Sequence, residues 1–160
     1  MICSEERITQ PRYGGGMVDR INRNEGLKTL RDLLDGRITN DEFINRFPRA
    51  EQDPALAAIL QATWMQFSDR RTHKLTGRDS PAPELRVVLE RCCAFLSTNL
   101  EFQWPPSKAR IGKGLLQLVG LGRPLEAADN EYKSAGDFDV WPFLERSDYE
   151  ASTKSTESCE

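Results

Sequence analysis

The single histidine of the chain, His73, lies in a short run that combines an imidazole with several cationic side chains. Asp69, Arg70 and Arg71 precede it, and we expect the segment to form a loop. Neighbouring guanidinium groups favour the neutral imidazole, which suits a general base, and the same positive field would hold an anionic ligand. A solvated loop residue is the simpler interpretation. These four residues form a candidate pocket or anion site.

Two segments end in Trp-Pro, at residues 101–105 and 137–142, each with an acidic and an aromatic residue just before. The tryptophans either plug the side of a helical core or form the walls of a groove. An acidic rim beside an aromatic anchor would recognise a basic protein, because the ring supplies contact area and the charges steer the encounter. The candidate binding surface consists of Glu101, Trp104, Asp137, Asp139, Trp141 and Asp148.

The residue types and their spacing give less support to metal binding, phosphate binding or a cysteine nucleophile. The acidic residues after Asp137 lack the spacing of a calcium-binding loop, and one histidine without a Cys-x-x-Cys gives no zinc-ligand pattern. The run at residues 112–114 lacks the flanking residues of a phosphate-binding loop. Cys92 and Cys93 lie in an apolar helical pattern, where a thiol behaves as a small hydrophobe with a raised pKa. We expect no cofactor, no metal and no catalytic residue.

Start and stop signals divide the middle of the chain into four helices. The first follows residues 22–25, which resemble a capping box, and ends at Gly36. A capping box at residues 39–42 begins the second. Asp53-Pro54 and Ser80-Pro81 each place a side-chain oxygen before a proline, and these pairs predict the starts of the third and fourth helices.

Apolar residues recur at helical spacing in the third and fourth helices. The fourth has the longest apolar stripe, from Leu85 to Leu96. The third has a shorter predicted buried stripe, formed by Leu56, Leu60, Trp64 and Phe67. We expect the contact between these two faces to dominate stability, so that Leu60→Ala and Leu89→Ala each cost roughly 2 to 5 kcal/mol.

The composition is typical of one globular domain, with 38% hydrophobic and 29% charged residues among 160. We expect a cytoplasmic protein, because no apolar run approaches the roughly 18 residues of a membrane span and no signal segment opens the chain. Residues 1–123 carry 19 Lys and Arg against 15 Asp and Glu, whereas residues 124–160 carry 3 against 10. We therefore expect no nucleic-acid partner, because the chain lacks a dense basic stripe.

These patterns predict a mainly α fold, an antiparallel helical bundle core with an irregular, aromatic-rich C-terminal segment packed against it. We expect a flexible arm at residues 1–18 and a frayed C-terminus at residues 151–160. Between them, residues 19–150 are predicted to form a single helical domain. Its core helices occupy about residues 20–100, and residues 101–150 are less regular.

Four stretches of the chain resemble a group of small bacterial proteins of unknown function. They are Leu33–Phe43, Trp64–Asp69, Phe95–Pro105 and Gly136–Phe143. The resemblance covers residues 27–105 and 136–149. It implies a bacterial cytoplasmic setting and nothing catalytic.

Two functional hypotheses follow. The first is a non-enzymatic protein-interaction module, an adaptor or immunity-type protein, whose acidic aromatic C-terminal surface meets a basic partner. The second is a small enzyme or small-ligand-binding protein with a pocket between the long helices and the Trp-Pro segments, using His73 or Glu101 for proton transfer. Small size, the acidic tail and the lack of catalytic motifs favour the first. A deep pocket holding Trp104 or Trp141 beside an ionisable group would favour the second.

Overall fold

The computed structural model describes residues 17–49, 51–66, 71–105 and 134–157. The helices are α1 (Arg20–Leu34), α2 (Asn40–Arg46), α3 (Pro54–Trp64), α4 (Pro83–Ser97) and α5 (Arg146–Glu157). Short 3₁₀ turns occupy Gly77–Asp79 and Phe138–Val140, and these described ranges contain no β-strand. The predicted mainly α fold, with helices packed on one another, is confirmed.

Local signals set the starts of α2 and α3 as predicted. The Thr39 hydroxyl accepts a hydrogen bond from the Glu42 N–H (3.2 Å), and the Glu42 carboxylate accepts one from the Thr39 N–H (2.9 Å). Asp53 caps α3 by accepting from the Ala55 N–H (3.2 Å). Each cap satisfies amides that have no partner within their own helix.

The predicted starts of α1 and α4 are wrong. The carboxylate of Asp19, not the side chain of Asn22, caps α1, and it accepts from the Asn22 N–H at 3.0 Å. α4 begins at Pro83 rather than after Ser80, and no side chain caps it. Ala82 precedes a proline, which drives its backbone out of the helical region, and its ψ is 148°. The helix therefore begins only after this second proline.

The core forms mainly between α1 and α4, the two longest helices of the described chain, whereas α3 was expected to supply the main contact with α4. Leu30 and Leu33 of α1 and Leu89 and Leu96 of α4 are almost completely buried. At the end of α1, Gly36 adopts a φ of +66°, the left-handed conformation that glycine accepts without strain.

α3 buries a different face from the one predicted. The buried residues of this helix are Ala55, Leu56, Ile59 and Thr63. Leu60 is only half-buried, Trp64 is 48% exposed, and Phe67 lies outside the described residues. Because the helix is apolar on nearly all sides, its periodicity does not decide which face meets the core.

A buried ion pair joins the starts of α1 and α3 to the end of α4. Arg23, 1% exposed, bonds to the carboxylate of Asp53 and donates to the carbonyls of Thr98 (3.2 Å) and Leu100 (2.7 Å). Its guanidinium also lies 5.1 Å from the centre of the Phe95 ring. These bonds satisfy the carbonyl of the α4 C-cap residue and one carbonyl just beyond it, and a cation is favourable near the C-terminal end of a helix.

The C-terminal part packs against α4 through aromatic rings, as expected of an aromatic-rich segment. Phe95 meets Phe102 and Phe143 edge-on, with ring centres 6.2 and 5.2 Å apart. Residues 151–157, part of the stretch predicted to fray, continue α5, and residues 158–160 lie outside the described range. Tyr149, one of the first residues of this helix, packs on Phe143 at 5.4 Å, which anchors α5 to the core.

Candidate interaction surface

The two tryptophans of the Trp-Pro segments are core residues, 3% and 7% exposed at Trp104 and Trp141. The indole N–H of Trp104 points at the carbonyls of Pro142 (3.0 Å) and Phe143 (3.2 Å). A buried indole usually finds such a partner. Trp104 and Trp141 are therefore not accessible to a partner, and their assignment to the binding surface is wrong, whereas their interpretation as core plugs is confirmed.

The second Trp-Pro segment contains a tight 3₁₀ turn that presents Phe138 and Asp139 to solvent. Asp137 stabilises the turn twice: its carboxylate accepts from the Asp139 N–H (3.1 Å), and its own N–H donates to the Leu144 carbonyl (2.9 Å). Gly136 is required before the turn, because a Cβ there would lie 2.6 Å from the Leu144 oxygen. The turn therefore has a defined shape set by local hydrogen bonds.

The charges on this turn are not equivalent. Asp137 is paired with Arg146, whose Nε and Nη2 lie 3.0 and 2.9 Å from its Oδ2. The Asp139 side chain is 88% exposed, and the Nη2 of the same arginine lies 3.9 Å from its Oδ2. Phe138 beside it is 45% exposed and contacts Trp104 edge-on. We call Phe138 and Asp139 the acidic turn.

The remaining candidates of this surface do not form one cluster. Glu101 is exposed and Asp148 is half-buried. Among the described residues, neither forms a hydrogen bond or ion pair with the acidic turn. No three acidic, histidine or cysteine side chains converge in the described part of the chain. The structure thus brings together Asp137 and Asp139 but not the full predicted set.

A small cavity lies where the second hypothesis requires a pocket. It has a volume of about 110 Å³ and lies between α3, α4 and the second Trp-Pro segment, with Leu89, Cys92 and Trp141 in its wall. Small-molecule sites usually measure about 300–1,000 Å³ and carry convergent polar groups. None of the described residues that line this cavity is a carboxylate, a histidine or a lysine.

The histidine segment has a structural explanation in its described part; Asp69 and Arg70 lie outside the described residues. Asn40, 2% exposed, accepts from the His73 N–H (2.8 Å) and donates to the Arg71 carbonyl (3.2 Å). The His73 Nδ1 donates to the same carbonyl (3.0 Å), since a carbonyl oxygen only accepts. Arg71 forms an ion pair with Asp79. Asn40 therefore fixes the backbone of this loop to the start of α2.

Burial explains the behaviour expected of the two adjacent cysteines. Cys92 is completely buried and Cys93 nearly so. Burial raises the pKa of the Cys92 thiol well above its ordinary range and that of Cys93 to about 12, because the thiolate would lose its hydration. The predicted hydrophobic role of both thiols is confirmed.

One concave surface was not predicted. An open groove of about 720 Å³ follows α2 and α3, with Ile44, Leu60 and Trp64 in its walls and Arg49 and Glu51 near them. Two of these apolar residues, Leu60 and Trp64, were predicted from the sequence to lie in the core. The sequence feature that indicates this groove is that α3 is apolar on more sides than a single contact with the core can bury.

No protein-family model, curated protein or solved structure matches the chain. Within the described ranges, none of the helices combines the length and the apolar character that crossing a bilayer requires.

Proposed function

We propose that the protein is a non-enzymatic protein-interaction module, an adaptor or immunity-type protein, that binds a basic partner through the acidic turn. The observation that carries the proposal is the pairing of a half-exposed ring, Phe138, with an exposed carboxylate, Asp139, on a turn whose backbone is fixed from within. An aromatic anchor supplies contact area, and a turn that is already ordered loses little entropy on binding.

Charge supports a basic partner. Residues 134–157 contain six acidic and two basic side chains. One of the two bases, Arg146, pairs with Asp137 and leaves Asp139 exposed. Complementary charges increase the association rate and suppress the wrong partners more than they add affinity.

Trp104 and Trp141 support the turn from behind instead of contacting the partner. The Trp104 indole bonds to the two carbonyls that follow Trp141, and its ring packs against the buried side of Phe138. The second hypothesis, an enzyme or small-ligand pocket at this place, is less well supported, because the cavity measures only about 110 Å³ and none of its described lining residues carries an acidic or imidazole group.

Paired affinity capture from a bacterial lysate tests the proposal. The wild-type protein is expected to retain a basic protein at about 50 mM salt and to release most of it at about 300 mM, because screening shortens the reach of the carboxylates. Asp139→Asn should weaken retention while leaving the melting temperature unchanged. The double variant Phe138→Ala with Asp139→Asn should abolish it.

The matched control carries Ile21→Ala and Glu25→Gln, which remove one exposed apolar side chain and one exposed carboxylate from α1. Retention by this control should equal that of the wild type. If the acidic-turn double variant retains the same partner as the wild type, or if the control loses it equally, the acidic turn is not the binding surface.

A further inference from the structure

A cleft of about 630 Å³ opens between α1, α4 and α5, and none of the acidic-turn residues line it. Three arginines line the cleft, Arg31 from α1 and Arg86 and Arg91 from α4, together with the acidic residues Asp35 and Glu90. Its volume falls within the roughly 300–1,000 Å³ of small-molecule sites. Cationic side chains therefore outnumber acidic ones among the described residues of this cleft.

Ion pairs leave positive charge in excess in the cleft. Arg86 is paired with Glu90, one turn along the same helix, at 2.9 Å. Asp35 is likewise paired, with Arg37 just beyond the end of α1. The other two arginines of the cleft form no ion pair with any residue in the ranges that the structure describes. Two guanidinium groups without an ion pair among the described residues therefore line one concave surface, in which three arginines exceed two carboxylates by one charge.

Arg91 also has a buried hydrogen-bond donor that lacks an acceptor in the described part of the chain. Its Nε is shielded from solvent, yet it donates no hydrogen bond to any residue that the structure describes. Native proteins satisfy the large majority of buried polar atoms, so a buried donor without an acceptor calls for an explanation such as a bound group. An anion seated against this guanidinium would supply an acceptor for the Nε–H.

Apolar and aromatic side chains complete the walls. Leu34, Val87 and Ala94 line the cleft from α1 and α4, and Tyr149 lines it from α5. The Tyr149 ring is held by its contact with Phe143. A wall of this kind suits a ligand in which an anionic group is attached to a small apolar or aromatic body.

We propose that this cleft binds a small organic anion, with Arg31 and Arg91 as the residues that hold its anionic group. A guanidinium presents the same forked donors to a carboxylate and to a phosphate, so the shared chemistry is a pair of anionic oxygens on an apolar or aromatic body. The proposal is independent of the acidic turn. It assigns a binding role to the two arginines and no catalytic one.

Isothermal titration calorimetry with phenyl phosphate, benzoate and phenol tests the proposal. At least one of the two anions is expected to bind and phenol is not, and the tighter anion distinguishes a phosphate from a carboxylate ligand. Arg31→Gln and Arg91→Gln should each weaken binding at least about tenfold. Arg78→Gln removes an equal charge from an exposed position outside the cleft and should leave binding unchanged.

Circular dichroism checks that each variant is folded. If a glutamine variant is unfolded, Arg31→Lys and Arg91→Lys replace it. Lysine keeps the positive charge but lacks the paired N–H donors of the guanidinium, so each lysine variant should weaken binding severalfold. The proposal is overturned if neither anion binds the wild type at about 10 mM, if the arginine variants bind as the wild type does, or if Arg78→Gln weakens binding equally.

Discussion

Arg23 and Asp53 meet in a two-pronged ion pair in the interior, with Nε 2.6 Å from Oδ2 and Nη2 3.0 Å from Oδ1. Both side chains are almost completely buried, at 1% and 0% exposure. The Asp53 carboxylate also accepts from the N–H of Asp19, so the pair links the caps of α1 and α3. A buried pair with its remaining hydrogen bonds satisfied is costly to break, because the surviving charge cannot reach water.

The first prediction concerns this pair. Asp53→Ala should lower the free energy of unfolding by roughly 3–5 kcal/mol, because it leaves the Arg23 charge buried and α3 without its cap. Arg46→Met is the control, since it removes an exposed i,i+4 pair with Glu42, which should cost under about 1 kcal/mol. Urea unfolding followed by circular dichroism measures both. Equal losses in the two variants would show that burial of the pair does not matter.

The second prediction concerns Leu60 and Leu89, for which the sequence predicts the same loss of stability on substitution by alanine. Leu89 is 1% exposed in the α1–α4 core, and Leu89→Ala should cost roughly 2–5 kcal/mol. Leu60 is half-buried on the open groove, so Leu60→Ala removes less buried surface and should cost clearly less. The same deletion is made at both sites, and urea midpoints compare them directly. A larger loss at Leu60 would contradict the assigned core face of α3.

The sequence predicts the helix cap at Thr39 correctly but not the half-exposed position of Leu60 on α3. The caps at Thr39 and Asp53 join groups at most three residues apart, so the residue types alone determine them. The choice of face on α3 depends on what packs against it, and the sequence of the helix does not contain that information. Local chemistry was predictable, whereas the tertiary partner of an all-round apolar helix was not.

The candidate interaction surface and the cleft also combine features that the sequence predicts with features that only the folded chain shows. The acid-aromatic composition of the C-terminal turn is visible in the sequence. The choice between a core plug and a groove wall for Trp104 is not, because it depends on carbonyls 38 and 39 residues away. The unpaired arginines of the cleft are also invisible, since α1 and α4 bring Arg31 and Arg91 together only by folding.

The third prediction is a pH dependence at the start of α2. The hydrogen bond from the Thr39 N–H, aided by Arg46, holds the pKa of the Glu42 carboxyl below its ordinary value. As pH falls, the unfolded chain protonates Glu42 first, near its ordinary pKa of about 4.3, so the stabilisation is complete above that pH and is lost as pH falls through the lower folded pKa. The stability difference between wild type and Glu42→Gln should therefore be largest at neutral pH.

Urea unfolding of wild type and Glu42→Gln between about pH 7 and pH 3 measures this difference. It should shrink at the acid end, where a protonated glutamate resembles glutamine. Glu25→Gln, which removes an exposed carboxylate from α1 that takes no part in the cap at Asp19, is the control and should change stability little. A wild-type advantage over Glu42→Gln that stays constant down to the acid end would contradict the role assigned to the carboxylate.

The last prediction concerns the reactivity of Cys92 and Cys93. Burial raises the pKa of Cys93 to about 12 and that of Cys92 further, so at pH 8 the Cys93 thiolate fraction is on the order of 10⁻⁴ instead of the roughly one quarter of an ordinary cysteine. In a variant carrying Cys3→Ser and Cys159→Ser, Ellman's reagent should react with the folded protein at least about a thousandfold more slowly than with the urea-unfolded chain, which should release two equivalents. Circular dichroism of the variant establishes that it is folded. Rapid reaction of either thiol in the folded variant would mean that the α1–α4 core opens at this position, because burial leaves both thiols almost entirely protonated in the folded protein.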